Sequence, residues 1–159
     1  MTVWRLASNR YASSAFTGIG AATNPGRWNM PGHAVVYTSE HLSLASLEVL
    51  ANADLAMLKN FSTISCILPD LLVETLDVAA LPPDWRTLVH PQWTALQRIG
   101  SDWLLSGRSL ALRVPSAVID GEFNILLNPG HSQFASLRPS SPVPFVPDPS
   151  FTTSKTQAS

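Results

Sequence analysis

GRWNMPGHAVVYTSEHLSLASLEVL, residues 26–50, reads as a loop, a strand and a helix in direct succession. In NPGRWNMPG, which includes its start, two Gly and two Pro impose an irregular backbone. HAVVYTS, residues 33–39, is β-branched and apolar and predicts a strand. The run LSLASLEVL predicts the helix, with Thr38 or Ser39 placed to cap it and its end falling near Asn52–Lys59. A strand that delivers straight into an apolar helix implies a mixed α+β domain.

Glu48 is the one charged residue in that helix. The helix is apolar nearly all round, with Leu44, Leu47, Leu50 and Ala51 crowding one side at spacings of three and four, so burial is expected. A buried carboxylate is costly unless it is paired or used. The alternative is a Glu at the one solvent-facing position, the usual fate of this residue type. Arg27, on the rigid loop, offers a fork suited to phosphate or carboxylate, or else a solvated arginine stacked on Trp28. Tyr37 closes the strand, where tyrosines commonly pack with the hydroxyl at the rim. Only in combination do an anion-binding arginine, an aromatic platform and a buried glutamate suggest a nucleotide site.

Outward from this stretch, TVWRL (residues 2–6) predicts a first strand, with Arg5 pointing either into a polar cleft or outward. Residues 9–32 form a long loop with one short helix, and loops of that length tend to be functional. FSTISCILP predicts a third strand and LLVETLDV a fourth, or a strand running into loop. A helix is expected from Gln92 to Leu105, with Trp93, Leu96, Ile99 and Trp103 at helical spacing, followed by strands in SLALRVPSAV and EFNILLNPGH. The sum is a single compact α+β domain of five or six short strands, in small mixed or antiparallel sheets, with two or three helices. It spans residues 1–138; the proline-rich tail 139–159 is expected to lie partly extended over the domain, with its last eight or so residues disordered.

Composition narrows the classes. Charged residues make up 13% of 159, against roughly 25% in soluble domains, so much of the surface is expected to be covered by a second copy or another protein. A net charge of -1 argues against a nucleic-acid binder. No long apolar run predicts a membrane span, no signal peptide opens the chain, and a cytoplasmic location follows as an expectation. The lone Cys66 reads as a core thiol. His33, His41, His90 and His131 are scattered, and no Cys/His spacing suits a metal.

GRWN, VVYTS, LASLEVL, VPSAV and FNILLNPGH, in that order, resemble the RES-domain toxins of bacterial toxin–antitoxin pairs. The resemblance covers roughly residues 3–135. The family's Arg, Glu and Ser match Arg27, Glu48 and Ser116, and its strand-end tyrosine matches Tyr37. The resemblance implies a fold similar to the ADP-ribosyltransferases. It also implies an enzyme that takes NAD+ as substrate, with no recycled cofactor and no metal, and a cognate antitoxin with an Xre-like helix-turn-helix domain. In such chemistry Glu48 stabilises the cationic ribose, Arg27 holds the pyrophosphate, and Tyr37 stacks on nicotinamide or braces the ribose. Ser116 is expected to hydrogen-bond a ribose or phosphate oxygen, with Asn29 and Asn128 as further substrate-binding candidates and His131 behind them. Asn128-Pro129-Gly130 is also a turn signal. The acceptor of the ADP-ribose is left open between water, phosphate and a protein. A non-catalytic partner-binding module, with Trp85, Trp93 and Trp103 at its interface, is the rival reading.

Overall fold

The computed structural model describes residues 1–151, so the disorder expected for the final residues lies outside the described part. Seven strands form one sheet: β1 Thr2–Ser8, β2 Val36–Ser39, β3 Phe61–Ile67, β4 Val73–Thr75, β5 Ala111–Pro115, β6 Phe123–Leu127 and β7 Val143–Pro144. Their order is β4-β5-β6-β2-β1-β3-β7, antiparallel throughout except for β4 beside β5. Three helices join them: α1 Ile19–Thr23, α2 Leu42–Leu50 and α3 Thr94–Ser106. The α+β class stands, in one continuous sheet rather than several small ones. The additional strand comes from the tail, where Val143–Pro144 pairs with the outer edge of β3, a position that tolerates proline.

Period-two alternation sorts the core onto the two faces of the sheet. Leu112, Val114 and Leu126 pack with Leu96 and Trp103 of α3 and with Trp28, while Ala111, Ile125 and Leu127 pack with Val3, Val36 and Cys66 on the other side. Cys66 is a buried free thiol, as expected, and burial pushes its pKa up. Trp103 is 1% exposed and donates through Nε1 to Ser109 Oγ at 2.7 Å. It is core, and so not part of the interface in which the rival partner-binding reading places it. Gly107, at φ 61°, ends α3 in the left-handed conformation that favours glycine.

Two local expectations are overturned. Neither Thr38 nor Ser39 caps α2: Thr38 Oγ1 donates to Ile125 O and Ser39 Oγ to Asn124 Oδ1, each at 2.7 Å, so both hydroxyls bind the neighbouring strand β6. The N-cap is His41, with no side-chain hydrogen bond. Nor is α2 buried all round. Leu44 and Ala45 are buried, but Leu47 is 40% exposed, because the helix lies on β1 and β2 with its outer face open. β2 is also shorter than predicted, since His33 O is engaged by the Asn29 side chain and held in the loop.

One interruption in the sheet prepares the site. β1 pairs with β3 through seven residues and β2 with β6 through four, yet β1 and β2 meet at the single bridge Trp4↔Ser39. Beyond it the two strands part, and Arg5 Nη1 donates to the Tyr37 carbonyl at 2.7 Å where a ladder partner would otherwise stand.

Candidate active site

A cleft of about 810 Å³ opens where β1 and β2 part. Arg5 reaches it from β1, Tyr37 from β2, Glu48 from α2, Asn124 from β6 and Arg27 from the loop before β2, and His90 and Trp93 also line it.

Glu48 is half-buried, and its carboxylate is fixed through one oxygen. Ser116 Oγ donates to Oε1 at 2.8 Å and Asn124 Nδ2 donates to the same atom at 2.6 Å. No described residue is recorded donating to Oε2. Two strand-end residues therefore orient the carboxylate and leave one oxygen for whatever enters the cleft.

Arg27 donates through Nη1 to the carbonyls of Trp85 and Leu88 at 3.2 and 3.1 Å, and its guanidinium lies 5.0 Å from the centre of the Trp93 ring. The side chain is thereby pinned with its remaining donors uncommitted. Burial lowers its pKa, opposed by the charge of Glu48. Its stacking partner is Trp93, where the sequence offered Trp28. Tyr37 presents its ring to the cleft, but its hydroxyl is committed, donating to Asn29 Oδ1 at 2.7 Å and accepting from Trp28 N at 3.1 Å. Burial raises the phenol well above its usual range and keeps it neutral.

Three expected substrate contacts take other roles. Ser116 is 3% exposed; it donates to Glu48 and accepts from the backbone N–H groups of Val118 and Ile119, both at 3.1 Å, which leaves its hydroxyl no further donor. Asn29 is fully buried and braces the loop: Oδ1 accepts from Gly26 N and the Tyr37 hydroxyl, and Nδ2 donates to Ala21 O and His33 O. Asn128 forms its turn, accepting from Gly130 N and donating to Leu104 O. None of the three lines the cleft. His131 likewise serves a turn, its Nδ1 accepting from Gln133 N. Asn29→Ala is expected to unpair several buried groups at once and lower stability by about 2 kcal/mol. The shift in thermal midpoint should be roughly 4–8 °C for a domain of this size, measurable by calorimetry.

The RES domain profile matches residues 2–152 of the chain. The chain belongs to the RES domain family. The match runs through most of the tail, past the last motif from which the resemblance was read. A protein named Toxin Res from Yersinia enterocolitica is 38% identical over 151 residues, covering 94% of this chain and 98% of its own. Prs ADP-ribosylating toxin from a Sphingobium species is 33% identical over 134 residues, covering 80% of this chain and 82% of its own. Among solved structures, the M. tuberculosis MbcT–MbcA toxin–antitoxin complex contains a chain that aligns with a TM-score of 0.68 at 18% identity, covering 95% of this chain and 86% of that one. At that identity the likeness is one of fold.

Within this RES chain the expected set of Arg27, Tyr37 and Glu48 converges on one cleft, and Ser116 joins it through Glu48. Sequence reasoning missed Asn124. The signal was present, since an Asn within FNILL falls on the same strand face as the buried Leu126 and so needs a partner there. Arg5 points into the cleft, the first of its two readings. It has no carboxylate partner among the described residues, its Nε is buried without a hydrogen bond, and burial lowers its pKa.

Proposed function

We propose that this protein is the toxin of a toxin–antitoxin pair and consumes NAD+ by cleaving the bond between nicotinamide and ribose. The observation that carries the proposal is Glu48, held through Oε1 with Oε2 unengaged in a cleft that also presents Arg27 and Tyr37. As the C–N bond breaks, its electron pair leaves with nicotinamide, which departs neutral and needs no acid. The ribose is left with oxocarbenium character, and a fixed carboxylate stabilises that charge while accepting from a ribose hydroxyl. Arg27 and Arg5 supply positive charge for the pyrophosphate, and the Tyr37 ring offers an apolar face to the nicotinamide end. Ser116 acts behind Glu48. The anomeric carbon then bonds to water, whose second proton is released, or to phosphate.

The name Toxin Res in the Yersinia relative and the antitoxin in the MbcT–MbcA complex support the toxin role and an antitoxin partner. For this chain we take that partner to carry an Xre-like domain, and we place the pair in the cytoplasm. Among the described residues no helix is long and apolar enough to cross a membrane. A homo-oligomer is part of the proposal, on the grounds of low charge and of Leu47, Leu55 and Met57 exposed at 40%, 42% and 51%.

A second reading, transfer of ADP-ribose to a protein, is favoured by the name of the Sphingobium relative. One experiment separates the two. Purified protein is incubated with NAD+, with and without phosphate and cell extract, and the products are resolved by mass. Free nicotinamide with ADP-ribose or its phosphate is expected. A mass increase on an extract protein would select the second reading, and intact NAD+ in every arm would overturn both.

A further inference from the structure

We propose that Asn124, held by Ser39, is a positioning residue that fixes the orientation in which the Glu48 carboxylate meets the substrate. The inference deepens the NAD+-cleaving site and rests on that reading for its kinetic consequence. Its geometry is independent of it.

A glutamate at the end of a long side chain has rotamer freedom that a reaction at one carbon cannot tolerate. Here Oε1 takes two donors on one atom, at 2.8 Å from Ser116 and 2.6 Å from Asn124. The two donors stand on different segments. Ser116 follows β5 and is itself held by the backbone N–H groups of Val118 and Ile119, while Asn124 lies in β6. Carboxylate rotation would break both bonds together.

An asparagine can present either end of its amide, so its donor role must be enforced. Ser39 enforces it. Ser39 and Asn124 are paired directly across β2 and β6, and Ser39 Oγ donates to Asn124 Oδ1 at 2.7 Å. The carboxylate only accepts and so calls for the NH₂ end; Ser39, whose hydroxyl can donate, binds the amide oxygen at the other end and holds the amide in that pose. Ser39 is also the residue of the one β1–β2 bridge, 3% exposed, so the orienting hydroxyl stands on the fixed edge of the cleft. The line Ser39 to Asn124 to Glu48 ties the carboxylate to the point where the sheet divides.

The test compares Asn124→Ala, Asn124→Asp and Ser39→Ala with the unaltered protein, measuring kcat and KM for NAD+. Asp has the shape of Asn but, when ionised, donates nothing and sets a second carboxylate against Glu48. A role in filling space would be rescued by Asp; a role as donor would not. We expect kcat to fall by about 10- to 100-fold in Asn124→Ala and at least as far in Asn124→Asp, with KM within about threefold. Ser39→Ala should lose a smaller part of kcat, about three- to tenfold, by freeing the amide to turn.

A second measurement needs no turnover. In the ¹⁵N-labelled protein, one Asn124 side-chain amide proton should resonate downfield because it is bonded to a carboxylate, and should move back in Glu48→Ala. The resonance is assigned by its loss in Asn124→Asp. A near-normal kcat in Asn124→Asp, a loss confined to KM, or an amide proton indifferent to Glu48 would each overturn the inference. If the Asn124 variants fail to fold, the resonance is assigned through its bonds in the labelled unaltered protein, and its shift in Glu48→Ala decides. NAD+ left intact beside a clear amide signature would sink the proposed function while upholding the fixing of Glu48.

Discussion

Glu48→Gln is expected to abolish NAD+ depletion in cells that express the chain, while the unaltered protein depletes it. With purified protein the turnover should fall by about 10²- to 10³-fold, the range for removing one preorganised electrostatic contact to a transition state. The hydrogen bonds around the carboxylate give this substitution a defined outcome. Ser116 and Asn124 both donate toward Oε1. The amide of glutamine must therefore turn its oxygen to those donors and its NH₂ group to the cleft, where Oε2 stands in the native chain. Shape and packing are kept. The negative charge is lost, and the position open to substrate becomes a donor facing a developing cation and a ribose hydroxyl. Binding of NAD+ through Arg27 and Arg5 should persist, so the loss belongs in kcat rather than KM. Equal depletion by Glu48→Gln and the unaltered chain, at matched protein levels, would remove Glu48 from the chemistry. No depletion by either, with folded protein present, would return attention to a partner-binding module.

That rival is weakened by where the tryptophans lie, and the same residues mark what sequence could and could not convey. Helical spacing placed Trp93, Leu96, Ile99 and Trp103 on one helix, of which Trp93 is the N-cap and the other three lie within α3, but spacing does not distinguish a stripe facing the core from one facing a partner. Trp103 went to the core and Trp93 to the cleft, under Arg27. The strands were legible because β-branched and apolar runs alternate between Gly and Pro signals. The ordered motifs found Arg27, Tyr37, Glu48 and Ser116 together, and the structure brings them to one place. Illegible were the relations fixed only by tertiary register. Ser39 looked like a helix cap because it precedes a helix, whereas the β2–β6 pairing turned its hydroxyl to Asn124. Asn29 and Asn128 looked like ligand-binding amides, and both proved to satisfy buried backbone groups, the commoner use of a buried amide. The exposure of Leu47 followed from α2 resting mainly on β1 and β2 with its outer face open, which hydrophobic content could not foretell.

Gly100→Ala should have the largest effect on stability, and the reason lies in how α3 holds the loop of Arg27. In most helix interiors the change gains about 1 kcal/mol. At Gly100 a Cβ would stand 1.8 Å from the carbonyl oxygen of Trp28 and 2.8 Å from its carbon, where contacts below 3.0 Å are essentially never seen. The obstacle is backbone, so no rotamer relieves it. The helix and the loop are also tied on both sides of that contact, by Gln97 Nε2 to Gly26 O and by Met30 N to Ser101 Oγ, each at 2.9 Å. Residues 97, 100 and 101 share one helix face, so moving the loop away by more than an ångström strains both bonds and unseats Trp28 from the core. Overpacking commonly costs about 1–3 kcal/mol when side chains can adjust, and here they cannot, so a loss of about 4 kcal/mol is expected. For a chain of this length that lowers the thermal midpoint by roughly 8–16 °C. Gly20→Ala, also in a helix, is the control: nothing lies within 4 Å of the added methyl, and its midpoint should not fall, rising by at most about 4 °C. If Gly100→Ala melts with the unaltered protein, the contact between α3 and the Arg27 loop is looser than described and cannot be what fixes the guanidinium in the cleft. If it melts early and also loses NAD+ turnover at temperatures where it is still folded, the loop geometry is what presents Arg27 to its anion.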